Sequence, residues 1–314
     1  MPGVAAVTGA TGFIGTHLVR HLADAGWSVR ILARRIPGSH DFPIPPVDTV
    51  VGDLRDPSAL SRLFAGADVV IHLAGLVKAP SAEAFHATNV RGTAAVVEAM
   101  AKLPRGRLVH VSSLAAREPD LSDYARSKAD AESEVRKLPS RFDSVIVRPS
   151  VVYGPGDWGI FGFFQGANKG VTIIPGSLKQ RISFIYITDL CNLINSISEN
   201  DSPSAEPLEI DDGKPGAYSW PEILSAMSAA AGRRLRTVHL PAIGVRTAAG
   251  LNAALHRFKG TATMFTPGKA RELLHHDWAV RAAPVDKLAG WAPTCRIVEG
   301  FERTMLWYRS KGWL

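Results

Sequence analysis

Cysteine is nearly absent. Cys191 and Cys295 are the only two in 314 residues, far apart and outside any CxxC spacing. This argues against a disulfide framework or a cysteine-based zinc site and points to a reducing compartment. Long apolar runs are missing too. No window reaches the ~18–20 uncharged apolar residues of a membrane span. Met1 to Thr8 lead straight into an apolar strand, without the charged region or cleavage pattern of a secretory leader. The expectation is a cytoplasmic protein with no stable membrane insertion. Runs of basic charge are lacking as well. The net charge of +7 could suit nucleic acid, an anionic membrane or an anionic small ligand. However, Lys and Arg are scattered, with no more than two adjacent and no aromatic-interleaved basic stripe. No nucleic-acid partner is expected. His17 and His21, and the pair His275-His276, lack further ligands in metal spacing, so no metal is expected. Internal repeats and interdomain linkers are absent.

What is present is ordinary globular material, 46 % hydrophobic and 21 % charged, long enough to bury a sizeable core. The first half alternates β-branched runs with helical stretches. Val4–Val7, Val29–Leu32, Asp48–Val51, Val69–Leu73, Arg107–Val111 and Ser144–Val147 read as strands, several apolar almost throughout, as strands covered on both faces must be. Thr16–Ala25, Pro57–Phe64, Glu83–Lys102 and Leu121–Lys137 read as helices; the second starts with Pro after an Asp that can cap it. This βαβα order predicts an α/β, Rossmann-type doubly wound parallel sheet over residues 1–150, with additions from about 181–200. Beyond Arg148 the rhythm changes. Arg181–Ile187 reads as a strand, Trp220–Ala231 as a helix, and Leu240–Phe258 as a mostly apolar stretch whose Gly and Ala suit an ordinary packed helix. Residues 151–314 are expected to form mainly a smaller, interleaved substrate lobe.

Directly after the first strand comes Thr8-Gly9-Ala10-Thr11-Gly12-Phe13-Ile14-Gly15, then a helix. Gly9 permits the tight turn, Gly12 lets a pyrophosphate approach the backbone, and Gly15 allows close helix packing. The helix N-terminus offers N–H groups to the phosphates. At the end of the second strand an NAD site carries an acid for the ribose 2′-hydroxyl. Here the chain reads Leu32-Ala33-Arg34-Arg35, with no carboxylate to repel a 2′-phosphate and two arginines to pair with one. NADP is expected over NAD. Gly52-Asp53-Leu54, after the third strand, would flank the adenine.

Of five tyrosines only Tyr124 has a lysine four residues on, Lys128, which puts both on one helical face. An ammonium beside a phenol lowers its pKa from the usual ~10. Such a tyrosine can take a proton from an alcohol or, in reverse, give one to a ketone. Ser112 and Ser113 end the fifth strand just ahead, where a hydroxyl can polarise a carbonyl.

Together the TGxxGxxG loop, the Val-Ser-Ser strand end and the YxxxK helix resemble the extended short-chain dehydrogenase/reductase family, which includes epimerases and dehydratases. His72-Leu73-Ala74-Gly75, Asn89-Val90-Arg91-Gly92-Thr93, Arg148-Pro149 through Asp157, and Gly290-Trp291-Ala292-Pro293 with Glu299-Gly300 agree, so the resemblance spans nearly the whole chain. It implies a Ser–Tyr–Lys set: Tyr124 as acid/base, Lys128 tuning it and holding the nicotinamide ribose, and Ser113 or Ser112 polarising the carbonyl. It further implies that Leu73, Ala74, Gly75 and Asn89 line the cofactor, that Pro149 and Val152 lie near the nicotinamide, and that the chain dimerises through Glu83–Lys102 and Leu121–Lys137.

Two positions depart from the family's nucleotide-sugar epimerases. Leu114 stands where the catalytic hydroxyl often sits, and Ile182 where an Arg commonly grips substrate phosphates. Arg181 is adjacent but on the opposite strand face. Trp158, Phe161, Phe163 and Phe164 form a cluster that suits a pocket wall or the lobe's core equally. The expected function is NADP(H)-dependent interconversion of a ketone and a secondary alcohol on a fairly apolar small molecule. The alternatives are a nucleotide-sugar epimerase or dehydratase with tightly held NAD(P), and a non-catalytic NADP-sensing protein.

Overall fold

A computed structural model describes residues 3–36, 47–200, 206–258, 263–281 and 290–314. The chain forms two compact units. One comprises Met1–Arg148, Cys191–Leu208 and Pro284–Trp291, the other Pro149–Leu190, Glu209–Ala283 and Ala292–Leu314. Among the described residues no helix is long and apolar enough to cross a membrane.

In chain order the first unit runs β1 (Val4–Thr8), α1 (Phe13–Asp24), β2 (Ser28–Ala33), β3 (Asp48–Val51), α2 (Pro57–Phe64), β4 (Val69–His72), α3 (Ala82–Phe85), a π turn (His86–Val90), α4 (Arg91–Met100), β5 (Arg107–Val111), 3-10 turns at Leu114–Arg117 and Pro119–Leu121, α5 (Asp123–Val135) and β6 (Asp143–Pro149). The second brings β7 (Val151–Tyr153), α6 (Phe161–Asn168), β8 (Val171–Pro175), β9 (Arg181–Ile182), β10 (Phe184–Tyr186), α7 (Ile187–Glu199), which runs back into the first unit, β11 (Leu208–Ile210), β12 (Tyr218–Ser219), α8 (Trp220–Ala231), β13 (Arg236–Leu240), α9 (Ala242–Phe258), α10 (Pro267–Leu274), β14 (Asp277–Trp278) and α11 (Ile297–Ser310).

The main sheet has seven strands in the order β11-β6-β5-β4-β1-β2-β3, parallel from β3 through β6. This is the doubly wound α/β fold expected from the sequence. Every residue of β4 and β5 is buried, the polar His72, Arg107 and His110 included, whereas the edge strand β3 is not fully covered. Helix α2 illustrates how local chemistry sets an element. Asp56 accepts hydrogen bonds from the amides of Ser58 and Ala59, and Pro57 opens the first turn. Ala59, Leu60, Leu63 and Phe64 then turn inward against Val70, Val96 and Leu108.

Some expectations are corrected. Glu83–Lys102 is not one helix. It comprises α3, a π turn and α4, because the backbone widens at Asn89, whose side chain is drawn inward to bind another loop. The first helix starts at Phe13, ahead of the predicted Thr16. Arg181–Ile187 is not one strand. Chain pairing changes at Ser183: β9 pairs with β12 and β14, β10 pairs with β7, and Ile187 already begins α7. The aromatic cluster belongs largely to the second unit's core. Phe164 is fully buried between Phe301 and Tyr308, and Phe161 packs edge-on against Tyr308. Trp158, largely exposed, stacks on Trp313.

Candidate active site

The loop after β1 is shaped by two glycines that tolerate nothing larger. Gly9 sits at φ +73°, and a Cβ there would lie 2.5 Å from the amide nitrogen of Ala74. A Cβ on Gly15 would lie 2.2 Å from the carbonyl oxygen of Gly9, so α1 is seated directly on the loop. Gly12 differs: a Cβ there would meet only Gly9 O, at 3.4 Å. Gly12 is also the N-cap of α1, with no side-chain cap and no acid in the first turn. The leading amides of α1 are thus left for an outside acceptor, which suits a pyrophosphate. Thr11 is exposed here, and Phe13 and Ile14 are half-buried.

Where β2 ends, Arg34 lines an open cleft of about 630 Å³ together with Gly52, Asp53, Arg55 and Asp56. Arg35 is exposed beside it in sequence but does not line the cleft. Asp53 is engaged by Arg55, through Nη2 at 2.7 Å and the backbone amide at 2.8 Å. The Arg55 side-chain bond is the largest effect holding the Asp53 carboxyl below its usual range, with Arg34 a smaller one. Arg55 was not singled out from the sequence and Asp56 was read only as a helix cap; an arginine two residues after Asp53 was the available signal. Leu54 is a packing residue set against Gly92, where a Cβ would come within 2.7 Å of Leu54 Cδ1.

At the sheet's centre, hydrogen bonds run in one direction from loop to helix. The Ala74 amide donates to Thr8 Oγ1 (3.4 Å), Thr8 Oγ1 meets His72 Nδ1 (2.7 Å), His72 Nε2 meets Thr93 Oγ1 (3.0 Å), and Thr93 Oγ1 donates to Asn89 O (2.6 Å). Because the Thr93 proton is committed to Asn89, His72 satisfies the line as the Nε2–H tautomer, with Nδ1 accepting from Thr8. Burial pulls His72 down to about 3, with Lys128 adding to the effect, so the ring is neutral. Asn89 continues the network. Its Oδ1 accepts from the Leu76 amide (2.7 Å), and its Nδ2 donates to Leu76 O (3.1 Å) and Ser127 Oγ (2.9 Å). Ser127 Oγ in turn donates to Tyr124 O on α5 (2.8 Å). Leu73 is tied to β1 through its amide. A Cβ on Gly75 would lie 3.2 Å from Asn89 Oδ1 and 3.9 Å from Lys128 Nζ, so Gly75, Asn89 and Lys128 meet at one point.

Helix α5 carries the candidate acid/base. Ser122 caps it by accepting from the Ala125 amide at 3.0 Å. Tyr124 is half-buried, its ring 6.0 Å from that of Phe85. Lys128 is buried and donates to Val111 O at 2.9 Å. Burial pulls its pKa down to about 8, against the upward pull of Glu132. The two serines are not equivalent. Ser112 Oγ donates to Glu132 Oε1 at 2.5 Å, and Glu132 also receives Arg148 Nε and Nη2 at 2.8 and 2.7 Å. Ser113 Oγ instead accepts from the Ala115 amide at 3.2 Å, which leaves its proton for another acceptor. Glu132 was missed from the sequence, although Tyr124, Lys128 and Glu132 recur at the four-residue spacing of one helical face. Pro149 and Val152 lie in the second unit, Pro149 closing β6 and Val152 paired with Ile185 across β7 and β10.

Residues 5–210 match the NAD dependent epimerase/dehydratase family. The chain belongs to that family. The match agrees with the phosphate loop and the sheet just described. Among its relatives is the ceramide reductase of Caulobacter vibrioides, 41 % identical over 99 % of this chain and 96 % of that protein. The 4-hydroxy-2-methyl-3-oxo-4-farnesyl-3,4-dihydroquinoline-1-oxide ketoreductase of Stigmatella aurantiaca is 27 % identical over 80 % of each. Among solved structures, MoeE5 with UDP-glucuronic acid and NAD superposes with a TM-score of 0.73 at 22 % identity, covering 99 % of this chain and 100 % of that one, a likeness of fold. This member of the epimerase/dehydratase family is an NAD(P)-dependent oxidoreductase of the extended short-chain dehydrogenase/reductase type.

Proposed function

We propose that this protein is an NADPH-dependent ketoreductase that converts a ketone on a ceramide-type lipid into a secondary alcohol. The observation that carries the substrate class is the full-length, 41 % likeness to a ceramide reductase. A second relative, named for reducing a ketone on a farnesylated ring system, supports an apolar substrate. NADPH is preferred because Arg34 faces the cleft beyond β2 while Arg55 offsets the charge of Asp53 there.

When held there, a reduced nicotinamide would supply the hydride for the substrate's carbonyl carbon. The chain's residues do the rest. Ser113 donates its proton as a hydrogen bond to the carbonyl oxygen, stabilising the charge that gathers there. Tyr124 transfers its phenolic proton to that oxygen, completing the alcohol. Lys128, charged and desolvated on the same helical face, stabilises the tyrosinate left behind and holds the nicotinamide ribose. The amides at the start of α1, with Gly12 beneath them, hold the pyrophosphate. Thr11, Phe13, Ile14, Leu73, Ala74, Gly75, Asn89, Pro149 and Val152 line the remainder. Ser112 serves as a strut that ties β5 to α5 through Glu132. Helices α4 and α5 pair with their copies in a homodimer.

The test is the loss of reduced-nicotinamide absorbance when the protein meets a keto-ceramide in detergent micelles. Tyr124→Phe is expected to bind NADPH as before and to lose turnover by roughly 10²–10⁴-fold. NADPH is expected to bind more tightly than NADH, with the preference lost in Arg34→Ala/Arg35→Ala. Turnover that survives in Tyr124→Phe would overturn the mechanism. Absence of net cofactor oxidation, together with binding of a UDP-sugar, would instead favour the epimerase chemistry to which the family and the NAD-bound fold relatives also point. The hydrophobic Ile182 in place of a phosphate-gripping Arg argues against that second reading.

A further inference from the structure

The positive charge of this protein is concentrated in one segment. Between Glu222 and Glu272 there is no Asp or Glu and there are eight Lys or Arg. That segment alone carries +8 while the whole chain carries +7, so the remainder sums to −1. The segment includes β13 and α9, and both expose apolar side chains. Among the described residues, helix α9 buries one side, through Val245 and Ala249 against Ala270, Leu240 and Phe265. On its opposite side Ile243, Leu251 and Leu255 are 70, 69 and 50 % exposed, at intervals of eight and four residues that keep them on one stripe. The expected ordinary packed helix is thus half unpacked. Arg246 is exposed at the flank of this stripe.

The two-stranded ribbon of β8 and β13 also exposes apolar side chains. Ile173 and Val238 are register partners, 56 and 50 % exposed, and the neighbouring pair on the same face is Val171 and the exposed Arg236. Val238 and Leu240 point to the same side of β13, and Leu240 rests on α9, where a Cβ on Gly244 would come within 2.9 Å of it. The ribbon's apolar face therefore adjoins α9.

We propose that this face, with Ile243, Leu251 and Leu255 of α9 and Ile173 and Val238 of the ribbon, docks on an anionic phospholipid surface. Apolar side chains enter the headgroup boundary while surrounding arginines meet lipid phosphates, as on interfacial amphipathic helices. Charge complementarity selects the occupant: a second copy would oppose one acid-free surface with another, and a nucleic acid would leave the exposed Ile and Leu unused. The proposal stands apart from the reductase chemistry, although docking there would bring the protein to a membrane-resident lipid.

The experiment is flotation of the full-length protein, without cofactor or substrate, on vesicles of phosphatidylcholine alone or mixed with phosphatidylglycerol. Wild type is expected to float with the mixed vesicles and to release in roughly 0.5 M salt. Ile243→Ser/Leu251→Ser/Leu255→Ser and, separately, Arg236→Glu/Arg246→Glu are each expected to lower the bound fraction about tenfold with no change in Tm. Equal, weak flotation on both vesicle types overturns the proposal. So does loss of binding in the arginine variant alone, which marks a soluble polyanion site. A triple-serine variant that floats normally but sediments at a lower mass also overturns it and assigns the stripe to self-association. Keto-ceramide reduction plays no part in the readout, so failure of the proposed function leaves this outcome unaffected.

Discussion

Lys128 keeps its charge at a cost to the fold. Its folded pKa of about 8 lies below the 10.5 of an ordinary lysine because the ammonium is buried. Above 10.5 the group is neutral in both states and costs nothing. Between 10.5 and about 8 the unfolded chain holds the extra proton, so stability falls as pH drops, and below 8 the full cost remains. At 1.36 kcal/mol per unit this is roughly 3 kcal/mol, less about 1 for the bond to Val111 O. Lys128→Met is therefore expected to be inactive yet about 2 kcal/mol more stable than wild type at neutral pH. Urea titrations at neutral pH and near the lysine's ordinary pKa check this, and the gain must shrink at the higher pH. The adjacent serines should separate as cleanly. Ser113→Ala is expected to lower kcat about 10²-fold while costing only about 1 kcal/mol of stability through the lost bond from the Ala115 amide. Ser112→Ala leaves the buried Glu132 one donor short, and is expected to cost about 1–3 kcal/mol of stability, measured by denaturation. Equal kinetic defects in the two variants would contradict the division of labour.

At the scale of elements, the glycine loop makes a graded prediction. Gly15→Ala must displace backbone at Gly9 and Ala10, so a loss of several kcal/mol or failure to fold is expected. Gly12→Ala has room, and is expected to leave Tm without ligand nearly unchanged while weakening dinucleotide affinity at least tenfold, read by calorimetry. The loop, the alternation of strands and helices and the Tyr-Lys helix were legible because each rests on short-range patterns: glycine spacing, short and mostly apolar runs, and a four-residue interval. The π turn at His86–Val90 was not, because one inserted residue leaves an Ala-rich helical pattern almost unaltered. Nor was the break at Ser183. Strand-forming residues (Ile182, Phe184, Ile185, Tyr186, Ile187) run straight through it, and what changes is the partner strand, set by distant residues: Ser183 Oγ binds Asp211 and its amide binds Trp278 O. Glu132 could have been read from its spacing, but its partners Ser112 and Arg148 are joined to it only by the sheet.

For the whole molecule, two buried imidazoles weaken the fold in acid. His72 and His110 lie side by side, ring centroids 5.2 Å apart, and burial lowers both, His72 to about 3. Above the ordinary 6.5 both folded and unfolded chains hold them neutral. Below it the unfolded chain takes up protons that the folded one refuses, so stability declines as pH falls from 6.5 toward 3. Neither ring nitrogen of His110 has a hydrogen-bond partner among the described residues. His110→Leu is accordingly expected to match or exceed wild-type stability by about 1 kcal/mol at neutral pH, and to lose less on acidification, as thermal melts across this range would show. His72 is different, because it sits inside the one-way line from Ala74 to Asn89. A residue there must accept on one side and donate on the other, and each threonine must do the same. Positions 8, 72 and 93 therefore have little freedom to drift singly. Among homologues they should be inherited or lost as a set, a covariation that joins the first strand to the helix beyond the fourth without any of the three needing to touch the substrate.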